Sequence, residues 1–440
     1  MDFPRAEQSA MSELARISPR PFAAEFSGSA SMAELPLSTA RLVSQLCISL
    51  VVTTVLCSRL ALPFGAKQVP LALPVALLHL VVITFLVRAT VSVPRLLATA
   101  GVLALLCFET ALVHQHFSLM SLLYIIAMYV PLVVNTNVDE AGLHRIWRAF
   151  IGLAAFAAIL GLAQIALQVA GGGYYLDPAQ QLPASIQQQG YSITYPIMRG
   201  VVPTLKANGM LFVEPSAFSQ FLALAMLGEL WLYRRAKVLW LLAAGLTVSF
   251  SGTGILMLVG GLAFGAKPRA LLGVAGGGIV IMGILIATGY GEAFTSRIGE
   301  VSRPGSSGYE RFVAPFAALG VPWNDSLSAV FWGYGAGQVE DLDTEYSANY
   351  SPVPKVTLEY GLVGLAAFTA LWVTMFGRLA VQRPIAGALV VMYFLAAGSL
   401  LQPYTVFALW GLTAGFLKGP LAPEDADLGA GEEPETVWAA

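Results

Sequence analysis

The sequence predicts an all-α polytopic integral membrane protein with about 12 transmembrane helices and two large loops on one face. Three observations lead there. Of 440 residues, 57% are hydrophobic and 11% charged, whereas a soluble domain carries about 25% charged residues. Apolar stretches of roughly 17–22 residues recur along the chain, the length that crosses a hydrocarbon core. The Lys and Arg residues fall mostly on one side of those stretches.

In chain order, residues 1–38 are Ser/Ala-rich with mixed charge. They lack the apolar core and cleavage site of a signal peptide and read as a disordered cytoplasmic tail. Spans are expected near 42–63, 69–87, 96–113, 118–134, 149–170, 211–233, 238–250, 253–266, 270–289, 356–377, 384–400 and 402–418. The segment 238–266 decides the count, being long for one helix and short for two. Ser249-Phe-Ser-Gly-Thr-Gly254 interrupts it, and Gly and Ser interrupt helices. Arg234, Arg235 and Lys237 precede it and Lys267 and Arg269 follow, so both ends favour the cytoplasm and the chain goes out and returns. Sixteen of the 24 cationic residues then lie inside and eight outside. Both termini are cytoplasmic, and the loops at about 171–208 and 290–355 face outward. Residues 39–418 form the transmembrane domain; 419–440 form an acidic cytoplasmic tail.

Several classes recede. No basic patch suggests nucleic acid. Cys47, Cys57 and Cys107 match no metal-ligand spacing and read as small buried hydrophobes. No internal repeat is visible, which argues against transporters built from duplicated halves. Gly261-x-x-x-Gly265 and Gly273-x-x-x-Gly277 fit close helix packing. Glu109 and Glu229 sit near span ends, where they reach headgroups.

Polar chemistry collects in the two loops. Phe212-Val-Glu-Pro-Ser216 puts a carboxylate and a proline at the mouth of an apolar helix. Glu214 suits the positive end of the helix dipole and Pro215 the first helical position. Glu214 either satisfies that helix start, or orients an arginine or accepts a proton from a sugar hydroxyl. Arg199, Arg297, Arg303 and Arg311 stand where cations are depleted. They pair with local carboxylates and headgroups, or they hold an external anion; Arg199 has no acid nearby until Glu214, and Arg311 opens the apolar segment 312–321. Tyr, Trp, Asn and Gln beside them suit a groove for a glycan on an anionic lipid. Gly333-Tyr-Gly-Ala-Gly337 reads as a turn or as a phosphate-binding nest. Glu340, Asp341, Asp343 and Glu345 read as a solvated loop or a divalent-cation site, without a fixed calcium-loop spacing. His114 and His116 cap the outer end of the third span.

At these residues the chain resembles the Wzy-type polysaccharide (O-antigen/exopolysaccharide) polymerase and O-antigen ligase superfamily. Three features carry the likeness, in this order: Arg199 followed by Phe212-Val-Glu-Pro-Ser216 and its helix; the Ser249–Gly254 break; and a second loop with Arg311, Gly333–Gly337, Asn349 and Glu359-Tyr-Gly-Leu-Val-Gly364. They cover roughly 195–375; the first four spans match only in being hydrophobic. The resemblance implies a GT-C-like membrane glycosyltransferase in the bacterial inner membrane, with no cofactor and no metal. It would polymerise undecaprenyl-pyrophosphate-linked repeat units at the periplasmic face, beside a chain-length regulator and a flippase. It assigns Arg199 and Arg311 to the pyrophosphate, with Glu214 beside them. Tyr195, Lys206, Arg297, Arg303, Tyr334, Asn349 and Tyr350 would bind substrate. The ligase branch carries a His near the end of the second loop, which 346–355 lacks; this favours a polymerase and names no catalytic base. A ligase delivering finished glycan to a lipid or protein acceptor, and a lipid-linked oligosaccharide flippase, are the alternatives.

Overall fold

The apolar stretches become helices, and two of them begin where a polar side chain closes the first turn. In the computed structural model, residues 37–64, 67–87, 89–112, 117–136, 138–171, 173–191, 196–198, 204–265, 301–340, 342, 347–380 and 382–413 are described, with 276, 283, 286, 287 and 299. Helix α1 is Leu37–Leu56, α2 Ala72–Val87, α3 Val93–Leu112, α4 Leu119–Tyr129 and α5 Glu140–Ala170. They are followed by α6 Pro215–Leu232, α7 Ala236–Val248 and α8 Gly252–Gly265. The second loop holds short helices α9 Ser307–Phe312, α10 Ala314–Ala317, α11 Gly320–Asp325 and α12 Leu327–Trp332. Last come α13 Pro352–Ala380, α14 Arg383–Phe394 and α15 Pro403–Leu412. Ser118, Asp139, Ser306 and Ser326 each accept a backbone N–H two or three residues into the helix that follows.

Among the described residues, four helical stretches are long and apolar enough to cross a membrane: Ala40–Arg59, Val93–Ala111, Glu140–Ala170 and Pro352–Gly377. The others are shorter. The expected span at 270–289 and both tails lie outside the described residues, apart from 37–38 at the start of α1, 276, 283, 286 and 287. The first span ends earlier than its hydropathy implies. Pro63 cannot continue a helix, and Ala61–Phe64 instead forms strand β1, antiparallel to β2 Lys67–Pro70. Two further ribbons pair β3 Thr90–Val91 with β4 Val134–Asn135, and β5 Pro196–Met198 with β6 Thr204–Leu205.

All elements that position the site lie in the unit from Ala40 onward. Helix α6 is its centre, buried along nearly its whole length between α5, α7, α8 and α14. A helix apolar on all sides has no solvent face to offer and belongs inside. Phe150, Phe212, Phe218, Phe221 and Tyr404 pack rings around its first half, with centroids 5.0–6.0 Å apart. The segment 236–265 is two helices. The end of α7 lies beside the segment that leads into α6, where Ala207 N–H donates to Val248 O at 3.1 Å. Helix α8 then runs alongside α6 in the same direction, with Gly254 against Ser219 and Gly261 against Leu227. Small residues permit its contact with α14, since a Cβ on Gly387 would lie 2.2 Å from Gly260 O.

Three expectations change here. Glu229 reaches no headgroup; it is fully buried and accepts from Arg235 N, Nε and Nη2 at 2.7–2.9 Å, closing the α6–α7 turn. Glu109 is likewise buried, near Tyr360. Cys47 is buried as expected, but Cys107 is exposed and Cys57 partly so. His114 and His116 lie outside the described residues.

Candidate functional site

The site is built on the start of α6, and the first loop is fastened there from two directions. Gln164 and Gln168, one turn apart on α5, act as paired amide brackets. Gln164 accepts from Asn208 and Gly209 N–H and donates to Leu176 O and Asn208 Oδ1; Gln168 exchanges two bonds with the Leu205 backbone. From the other side, the Arg59 guanidinium forks onto the Asp177 carboxylate, with both side chains buried, and also donates to Met210 O at 3.0 Å. Arg59 O in turn accepts from Gln188 N–H at 2.9 Å. The polar first loop is thereby held beside Leu211–Ser216.

Glu214 is the residue before α6, with Pro215 in the first turn. Its carboxylate makes no capping bond. Instead Ser216 Oγ donates to Oε1, and Arg311 Nη2 donates to Oε2 at 3.1 Å from 97 residues away. The two side chains are 12% and 14% exposed. Arg311 stands in the last turn of α9, so this ion pair joins the first loop to the second.

The second loop docks on α13. Tyr334 and Gly335 N–H groups donate to Leu358 O and Glu359 O at 2.9 and 2.8 Å, and Gly337 N–H donates to the Glu359 carboxylate. These carbonyls are exposed because α13 breaks at Gly361, which has φ 64° and ψ −168°. A Cβ there would lie 2.2 Å from Phe331 O, so glycine is required both for conformation and for space. Gly333–Gly337 is thus a clasp on the broken helix rather than a phosphate nest: three of its N–H groups are committed to α13. Lys355 Nζ lies 3.7 Å from Glu359 Oε1, one turn away on the same helix.

A cavity of about 920 Å³ opens at this junction. Glu214, Glu340 and Glu359 line it with Arg311 and Lys355, Gln188, Gln189 and Gln402, Asn349, and Tyr124, Tyr191, Tyr350 and Tyr360; Leu73, Met120, Leu123 and Met128 supply apolar wall. Burial, and then the Glu214 carboxylate, push the Tyr191 phenol up, while a hydrogen bond with Gln402 pulls it back. Tyr191 therefore stays a neutral hydroxyl beside the ion pair. Carboxylate, guanidinium, ammonium, amides and aromatic rings around one volume can bind an anion and a polyhydroxylated ring together.

Of the residues expected from sequence, Glu214, Arg311, Asn349 and Tyr350 meet at the cavity. Asn349 is held through its N–H to Glu310 O at 2.7 Å. Lys206 is not part of its lining; the side chain is buried in the first loop. Arg303 is exposed, before α9 and off the lining, and Tyr334 donates to Asp325 Oδ2 at 3.3 Å away from it. All three sit in the expected loops but off the cavity lining. Tyr195, Arg199, Arg297, Asp341, Asp343 and Glu345 lie outside the described residues; Glu340 is exposed at the rim. Sequence reasoning missed Gln188, Tyr191, Lys355, Glu359 and Gln402. Only Glu359 carried a signal, an acid four residues after a lysine inside an apolar helix.

The family model described as WcaD colanic acid polymerase matches residues 47–414, which contain every element of the cavity. No curated protein matches the chain.

Proposed function

The chain belongs to the WcaD colanic acid polymerase family of Wzy-type polysaccharide polymerases, and we propose that its cavity transfers a growing glycan from a lipid pyrophosphate to the terminal sugar of a new lipid-linked repeat unit. The Glu214–Arg311 pair at the cavity wall carries this reading. The carrier in this account is undecaprenyl pyrophosphate. The chain makes twelve passes in the inner membrane, with both loops in the periplasm and no metal involved.

In the transfer, the acceptor hydroxyl oxygen attacks the anomeric carbon of the donor. The bond from that carbon to the pyrophosphate oxygen breaks, and its electron pair leaves with the pyrophosphate. Arg311, with Arg199 as the second cation, meets the growing charge; guanidinium forks match phosphate oxygens and supply the stabilisation where charge develops. As Arg311 turns to the pyrophosphate, Glu214 is released from it and takes the hydroxyl proton. Glu214 thus first orients the arginine and then serves as base. Holding two glycans in register supplies the remaining advantage.

The test is purified protein in lipid with a lipid-linked repeat unit and EDTA, followed by gel separation of products. A ladder of polymer is expected. Transfer of one finished chain to a non-glycan acceptor would instead make the protein a ligase. Activity lost in EDTA and restored by Mg²⁺ would move charge neutralisation to the carboxylates at 340–345.

A further inference from the structure

Among the described residues, four side-chain oxygens lining the cavity are buried and have no hydrogen-bond partner: Gln188 Oε1, Glu359 Oε1, Gln402 Oε1 and the Tyr360 hydroxyl. They come from three separate parts of the chain, the first loop, the broken turn of α13 and the residue before α15. Their other contacts are made. Gln402 is hydrogen-bonded with Tyr191. The Glu359 carboxylate takes the Gly337 N–H, and the 3.7 Å from its Oε1 to Lys355 Nζ is an ion-pair distance too long for a hydrogen bond. Glu359 is itself only 2% exposed.

Buried polar atoms are nearly always paired, so four orphaned oxygens on one cavity point to a ligand that supplies the partners. Three of them, Gln188 Oε1, Glu359 Oε1 and Gln402 Oε1, only accept, while the Tyr360 hydroxyl can also donate. A phosphate offers only acceptor oxygens and cannot satisfy those three. Sugar hydroxyls and acetamido N–H groups can, and they come several to a ring. The cavity also has its cations, Arg311 and Lys355, for the anionic part of the same substrate. Its volume of about 920 Å³ is at the upper end for ligand cavities, roughly 300–1,000 Å³, which suits an oligosaccharide.

We propose that Gln188, Glu359 and Gln402 form a glycan subsite, each oxygen accepting from a sugar hydroxyl or amide N–H, and that this set decides which repeat unit the cavity accepts. The proposal rests on the polymerase reading for the identity of the glycan. A site that hydrogen-bonds a hydroxyl discriminates strongly against an analogue lacking it, because its own polar group is left unpaired.

The test uses the full chain in lipid nanodiscs and the free repeat-unit oligosaccharide, without lipid or phosphate, released from the host strain's own polysaccharide. Binding is read by saturation-transfer NMR and calorimetry. Gln188→Leu and Gln402→Leu should each weaken binding about three- to tenfold, the scale of one lost hydrogen bond, while Gln188→Glu and Gln402→Glu, which keep an acceptor oxygen, should retain most of it. A series of single-deoxy glycans on the wild-type protein should contain members that bind worse, and the one matched to Gln402 should lose nothing further in Gln402→Leu. Unchanged affinity in both Leu variants, a deoxy series that binds uniformly, or no glycan binding at all would overturn the subsite. With the lipid-linked unit, Gln402→Leu should raise KM more than it lowers kcat. If wild-type protein binds free glycan in this pattern yet makes no polymer, the subsite stands and the polymerase reading falls. Polymer made with KM and affinity unchanged in the variants has the opposite meaning.

Discussion

Changing Glu214 to Gln separates a functional carboxylate from one that only holds the loops together. Gln keeps the shape and one acceptor oxygen, so the Arg311 guanidinium, still cationic, keeps a hydrogen bond to a neutral amide oxygen in place of the ion pair at 3.1 Å. The ion pair is partly exposed and the charge-assisted bond remains, so the loss of the carboxylate charge should lower folding stability by about 1 kcal/mol. A capping role adds nothing, because the Glu214 side chain makes no capping bond. The rate should fall much further. A positioned base contributes about 10²- to 10⁴-fold. Losing the arginine's orientation reduces stabilisation of the leaving pyrophosphate as well. For Arg311→Lys, losing the planar fork should cost roughly 2–4 kcal/mol in transition-state stabilisation, or about 30- to 1000-fold in rate. The assay pairs initial polymerisation rate in nanodiscs with thermal unfolding of the same preparations. The exchanged variant Glu214→Arg/Arg311→Glu should recover stability and stay inactive. Polymer formed at the wild-type rate by Glu214→Gln or Arg311→Lys, at matched protein levels, would refute the reasoning.

Three further outcomes are expected. Gly361→Ala forces an L-residue to φ 64° with its Cβ 2.2 Å from Phe331 O; it should destabilise by about 3 kcal/mol or more, and a variant that unfolds like wild type would remove the broken helix from the account. Arg59→Met strands the buried Asp177 charge and should cost about 3–5 kcal/mol, with Arg59→Met/Asp177→Leu recovering most of it in denaturation; equal loss in both would show that the pair does not fasten the loop. Single cysteines at Ser185 and Ser306, in a background lacking the native cysteines, should both react with an impermeant thiol reagent on whole cells, whereas labelling of only one would break the twelve-pass topology.

Much of the helical pattern is readable in one dimension because burial in lipid and burial in protein both demand apolar residues. The same fact hides what α6 does: its hydropathy resembles a span, yet it is enclosed by four neighbours. The end of α1 is hidden in the hydropathy because Leu60–Phe64 is apolar, and only Pro63 marks the change to strand. At the site, Glu214 announced itself through the adjacent Pro215, and Arg311 through its rarity on the outer face. Lys206, Arg303 and Tyr334 have the same chemistry and the same loop addresses but lie off the cavity; for Tyr334 the backbone bond that fixes its place, to Leu358, joins residues far apart in sequence. Gln402 and Gln188 gave no warning, since amides are common in loops and only the fold shows that theirs are buried without donors.

The central claim is that one cavity, closed by Glu214 and Arg311, receives the glycan. A lipid-linked repeat unit carrying a diazirine on its sugar, photolysed on the purified protein in nanodiscs and mapped by mass spectrometry, tests it directly. Adducts are predicted on the peptides bearing Gln188–Tyr191, Glu214, Arg311 and Gln402, and they should be competed away by unmodified repeat unit. Competable adducts confined to peptides remote from the cavity would contradict the account.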